Sequence, residues 1–177
     1  MKLALFLSAA LPVLALGPAT GTQAPDFTLK NLKGASVRLA DETAKGPVVL
    51  VVLRGFPGYQ CPLCTRQVKE LVDHASAFSS AKARVLFVYP GPADIVQNKA
   101  HEFAADKNLA EPFEMLLDPD YAFTNLYGLR WDAPKETSYP STFVLDKTGK
   151  IVYAKVSTTH GGRAPAKEIL SALAAIQ

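Results

Sequence analysis

The chain has 177 residues, 49% of them hydrophobic and 20% charged, and a formal net charge of +3. That length suits one domain with a sizeable core, in the composition range of soluble globular proteins. The small charge is spread over scattered lysines and arginines, with no basic aromatic platform and no glycine-rich phosphate loop. These features argue against a nucleic-acid or nucleotide partner.

The first residues carry Lys2 and then an apolar stretch from Leu3 to Leu16, interrupted by Pro12. It is too short to cross a bilayer comfortably. Gly17 and Ala19 supply small residues at the positions a signal peptidase reads, so residues 1–19 are expected to be a secretory signal peptide. An uncleaved anchor is the rival. Residues 20–177 then form a single domain, exported to the periplasm or secreted, with no membrane span in the mature chain. Disulfides persist in such compartments.

From Ala24 the chain alternates strand and helix signals. "DFTL" and "SVRLA", joined by a turn at Asn31–Gly34, suggest a hairpin. "VVLVVL" (Val48–Leu53) is continuously apolar, as in a strand covered on both faces. After Pro62 a helix is expected to about Ser80, with Cys64, Val68, Leu71, Ala75 and Phe78 on one face. "VLFVY" (Val85–Tyr89) is a second buried strand, followed beyond Gly91–Pro92 by a helix with Val96, Ala100 and Phe103 inward. "FEML" (Phe113–Leu116) suggests a short strand, and "DPD" a turn into a brief helix closed by Gly128. "STFVLD" and "IVYAKVS" flank the hairpin signal "KTG". A last helix starts near Pro165, with Ile169, Leu170, Leu173 and Ile176 as its stripe. The order implies an α/β sandwich around a mixed sheet.

Both cysteines lie in one CxxC, Cys61 and Cys64, between the first buried strand and the helix that Pro62 opens. Unpaired amides and the helix dipole at that end favour a thiolate on Cys61. Cys64, one turn further in, is expected to be more buried and less ionised. The pair suits a two-step exchange in which Cys61 attacks a disulfide and Cys64 resolves the mixed disulfide. Zinc would need two more ligands, and His74, His101 and His160 are not at finger spacing. A purely structural disulfide would close a very small loop and constrain the unfolded chain little.

Taken together, "APDFTL", the CxxC and "YPSTFVLDKTGKIVY" resemble the redoxins of the thioredoxin superfamily, the alkyl hydroperoxide reductase/thiol-specific antioxidant group. The resemblance covers nearly everything from Gly21 onward. It implies a thioredoxin-like fold, a central mixed sheet with helices on both faces and an N-terminal hairpin. Peroxiredoxins of this group carry PxxxTxxC, and Pro57 and Cys64 fit that frame. Cys61 stands where the threonine would be, and Pro140 where an arginine usually precedes the late strand. Thioredoxins instead have a cis proline there, beside a backbone that binds substrate, so the resemblance gives Tyr139 and Pro140 a substrate-binding role. The buried acid that thioredoxins place before the CxxC has no counterpart in "VVLVVL". Arg54, just past it, could add positive potential near Cys61, but a solvated side chain is expected.

The expected function is therefore a thiol–disulfide oxidoreductase with an antioxidant or redox role, needing no cofactor and no metal. Its partners would be protein thiols or disulfides, or a hydroperoxide, with an unidentified thiol as electron donor. A thiol peroxidase with Cys64 attacking peroxide and Cys61 resolving is the alternative. A non-enzymatic rival is a copper-binding metallochaperone, with His160 as third ligand to the two thiolates. Trp131 could line the substrate face or simply pack.

Overall fold

The computed structural model describes residues 16–176, so most of the segment expected to be a signal peptide lies outside the described residues. Strands β1 (Thr28–Asn31) and β2 (Ser36–Arg38) form the N-terminal hairpin. The Asn31 side chain closes its turn by accepting the amides of Lys33 and Ala35. Leu39 and Ala40 do not continue the strand but start a short helix, α1 (Leu39–Thr43), whose first turn the Asp26 carboxylate caps through the Ala40 amide.

Then come β3 (Val48–Val52), α2 (Pro62–Asp73), α3 (Ala75–Ser80), β4 (Arg84–Gly91) and α4 (Val96–Ala104). They are followed by β5 (Phe113–Pro119), α5 (Ala122–Leu126), β6 (Ser141–Leu145), β7 (Ile151–Val156) and α6 (Ala166–Ala174). The single helix expected as far as Ser80 is two helices, because His74 leaves helical geometry at φ −103°, ψ 19°. "FEML" opens a strand that runs on to Pro119.

The seven strands lie in the order β2-β1-β5-β4-β3-β6-β7. β3, β4 and β5 are parallel to one another, and the remaining pairs are antiparallel. β3 lies inside the sheet, between β4 and β6, and is wholly buried, which its unbroken valines and leucine require. Its side chains alternate between two cores. Val49 and Val51 meet α2, α3, α4 and α6 through Val68, Leu71, Phe78, Phe103 and Ile169. Val48, Leu50 and Val52 meet the other layer, which includes Phe27, Leu39, Phe123 and Tyr127. The expected mixed sheet with helices on both faces is what the chain adopts. Among the described residues no helix is long and apolar enough to cross a membrane.

The passage from β3 to the CxxC turns at Gly55, with φ +69°. A Cβ there would run into the Pro90 carbonyl, so the backbone needs glycine for this return towards α2.

Candidate active site

Cys61 is the N-cap of α2 and Pro62 its first residue, as the sequence suggests. Both cysteines are free thiols and both are buried, at 2% and 1% exposure. Residue exposure is alike, but the surroundings of the two sulfurs differ: hydrogen bonding dominates at Cys61 and burial at Cys64. The Cys61 thiol is lowered to about 5, first by the Cys64 thiol that hydrogen-bonds to it. The amides of Cys64 and Leu63 in the first helical turn and the charge of Arg163 act in the same sense, against burial. Cys64 is pushed well above an ordinary thiol, first by burial and then by its bond to Cys61. At neutral pH the outer sulfur is a thiolate and the inner one a thiol.

Arg163, which nothing in the sequence marks, faces both sulfurs. Its Nη2 lies 3.7 Å from Cys61 Sγ and 3.3 Å from Cys64 Sγ, and its Nη1 donates to Gln67 Oε1 at 3.0 Å. It comes from the loop between β7 and α6, about a hundred residues downstream of the CxxC. That loop is pinned at its start by the Ser157 amide, which donates to the Pro140 carbonyl at 2.9 Å. At its end, Glu70 of α2 accepts the Ala166 amide at 2.8 Å. The Arg163 Nε is buried without a hydrogen-bond partner, a cost incurred while the head of the side chain is aimed at sulfur. An arginine is thus present, though not at the peroxiredoxin position that Pro140 occupies.

Arg54 corrects a second expectation. It is 2% exposed rather than solvated. Its side chain donates to Glu136 Oε2 at 2.8 Å, to the Lys135 carbonyl at 2.8 Å and to the Tyr59 hydroxyl at 2.7 Å. Its backbone amide, not its charge, reaches the site, 3.3 Å from Cys64 Sγ.

The Tyr139–Pro140 bond is trans; among the described residues the one cis bond is Glu111–Pro112. The segment that leads to Pro140 and β6 nevertheless runs along the end of β3. Ser138 Oγ donates to the Leu53 carbonyl at 2.7 Å and the Thr137 hydroxyl to the Arg54 carbonyl. Tyr139 stacks on Trp131, with ring centroids 4.7 Å apart and planes within 10°. Trp131 in turn lies 5.2 Å from His160. The His160 Nε2 is 2.8 Å from Glu136 Oε1, so its polar contact is to a carboxylate and not to the thiols. Among the described residues no three of His, Cys, Asp and Glu converge as metal ligands. His74, between α2 and α3, and His101, on α4, are exposed.

A groove of about 180 Å³ runs beside Arg163, between Leu63, Arg66, Gln67 and Glu70 of α2 and the loop 161–165. The arrangement supplies an ionised sulfur, a neutral sulfur one turn away, and a cation and an amide to stabilise charge on the inner one. That is the equipment for forming and breaking bonds at sulfur.

Residues 20–154 match the AhpC/TSA family. Peroxiredoxin Bcp of Bacillus subtilis is 28% identical over 138 residues, 75% of this chain and 81% of the relative. Thiol-disulfide oxidoreductase ResA of Geobacillus thermodenitrificans is 29% identical over 133 residues, 75% of this chain and 67% of the relative. Among solved structures, the peroxidoxin BcpB of Mycobacterium tuberculosis superposes with a TM-score of 0.76 at 25% identity, over 89% of this chain and 97% of that one. The chain is an oxidoreductase enzyme on a thioredoxin-like fold, and it belongs to the AhpC/TSA family.

Proposed function

We propose that the protein is a dithiol oxidoreductase that cycles between the Cys61/Cys64 dithiol and a Cys61–Cys64 disulfide. The observation that carries this reading is the geometry of the pair: Cys61 caps α2 among its free amides and Cys64 lies one turn further in, an arrangement that favours the thiolate on Cys61 and the thiol on Cys64. In the first step the Cys61 thiolate attacks a substrate disulfide, and one substrate sulfur leaves as thiolate. In the second, Cys64 loses its proton and attacks Cys61 Sγ, closing the internal disulfide and releasing the other substrate sulfur. Two electrons pass from the dithiol to the substrate, and an external thiol restores the pair. Leu63 and the groove beside Arg163 offer the surface on which a protein disulfide would dock.

A second reading is favoured by one specific observation: Cys64, in the position that fits PxxxTxxC, receives both Arg163 and the Arg54 amide. As a peroxidase, the Cys64 thiolate would attack a hydroperoxide. The O–O bond would break, an alcohol would leave, and a sulfenic acid would form for Cys61 to condense with, releasing water. Stopped-flow consumption of hydrogen peroxide by the reduced protein separates the two. The dithiol reading expects a rate no better than that of a fully ionised free thiolate. A rate far above that would replace it with the peroxidase.

We place the activity in an exported compartment because residues 1–19 have the pattern of a signal peptide. Fractionation of the native host with mass spectrometry of the N-terminus is expected to find the chain outside the cytoplasm and cut near Ala19. An intact leader on cytosolic protein would overturn that assignment.

A further inference from the structure

One carboxylate links the two groups that meet the Cys64 sulfur. Glu136 lies in the segment between α5 and β6, its side chain only 11% exposed, and both its oxygens are engaged. Oε2 accepts Arg54 Nε at 2.8 Å, and Oε1 pairs with His160 Nε2 at 2.8 Å. Arg54 is the residue whose amide lies 3.3 Å from Cys64 Sγ. His160 stands three positions before Arg163, whose Nη2 lies 3.3 Å from the same atom. The Thr137 hydroxyl, next in sequence to Glu136, holds the Arg54 carbonyl.

We propose that Glu136 is a positioning residue for the inner cysteine: through Arg54 and His160 it holds the Arg54 amide and the Arg163 guanidinium against Cys64 Sγ. The proposal rests on the dithiol reading above. A buried ion pair is weak evidence for stability, because apolar replacements of similar shape often serve as well. Glu136 instead fixes direction. Its two oxygens reach two segments, the end of β3 and the loop after β7, and both segments meet one sulfur. When Cys64 attacks the mixed disulfide, negative charge passes through its sulfur, and a misaligned amide or guanidinium would stabilise that charge less.

A chromogenic aryl disulfide mixed with the reduced protein reads the two steps separately. Cys61 releases one aryl thiolate, Cys64 then releases the second, and the two aryl sulfurs gain the two electrons the dithiol loses. Glu136→Gln is expected to slow the second release about tenfold while changing the first by about twofold or less, the loss typical of a misaligned charge-assisted hydrogen bond. His160→Phe keeps a ring beside Trp131 and is expected to slow the second release about threefold, because it removes only the link to the Arg163 loop. If Glu136→Gln does not fold, His160→Phe carries the test alone. Second phases unchanged in the folded variants, or both phases slowed equally with a lowered unfolding midpoint, would overturn the positioning role. A wild-type protein that releases only one equivalent would overturn the dithiol reading itself, and this role with it.

Discussion

Replacing Arg163 by methionine is expected to raise the pH midpoint of Cys61 alkylation from about 5 by about one to two pH units, the worth of one charge-assisted contact to sulfur. Methionine keeps an apolar stem along the loop and removes only the charged head. The sign follows from the group. Cys61 is held low, so in the wild type its thiolate is fully formed above about pH 6 and disappears as the pH falls through about 5. In Arg163→Met that loss begins at higher pH, and alkylation near pH 5.5 is expected to be about tenfold slower. At pH 9 the two proteins should react alike, which separates an electrostatic effect from a blocked site. The remaining depression belongs to the Cys64 thiol and the amides of Cys64 and Leu63. A midpoint that stays near 5 would mean those donors suffice and Arg163 serves only Cys64.

The second large effect is expected from Cys64→Ser. Removing the resolving thiol should cut steady-state disulfide turnover by about three orders of magnitude or more, as when one member of a catalytic unit is deleted. The first attack should survive, because a serine hydroxyl can still donate to the Cys61 thiolate. The reaction then stops at a mixed disulfide on Cys61, visible by mass spectrometry and reversed by added thiol. Cys61→Ser should show no first attack. If Cys61→Ser forms a sulfenic acid rapidly with peroxide while Cys64→Ser forms none, the roles are those of the peroxidase. The two variants thus distinguish the readings independently of any physiological partner.

The place of the CxxC at a helix start was legible in the sequence. A CxxC with proline between the cysteines, placed after a continuously apolar strand, fixes a helix start by local chemistry: Pro62 must open a helix, and Cys61 must then sit among its free amides. The inward stripe of α2 was equally readable, since Cys64, Val68 and Leu71 recur at helical spacing and are all buried. Periodicity was less able to see the break at His74, where Ala75 and Phe78 continue the same stripe across two helices. It also missed α1, because Leu39 is buried in a core whichever element carries it.

The charges of the site could not be read the same way. Arg54 next to a strand end looks like any solvated arginine until Glu136, eighty-two residues away in sequence, accepts its Nε. Arg163 sits in a glycine-rich loop that has no local pattern, and its target sulfurs belong to a different element. Resemblance gave Pro140 a substrate-binding role; its observed contact is a carbonyl that accepts the Ser157 amide, and its peptide bond is trans.

By itself, then, the sequence determined the strands, the helix that carries the cysteines and the difference between an outer and an inner sulfur. Each of these follows from residues close together in the chain, through apolar periodicity, proline geometry and free helix amides. Only the tertiary structure decided which cation and which amide meet the sulfurs and which carboxylate holds them. Coulomb and hydrogen-bond energies depend on distance in space, and the chain sets that distance only after the sheet has brought β3, β6 and the loop after β7 together.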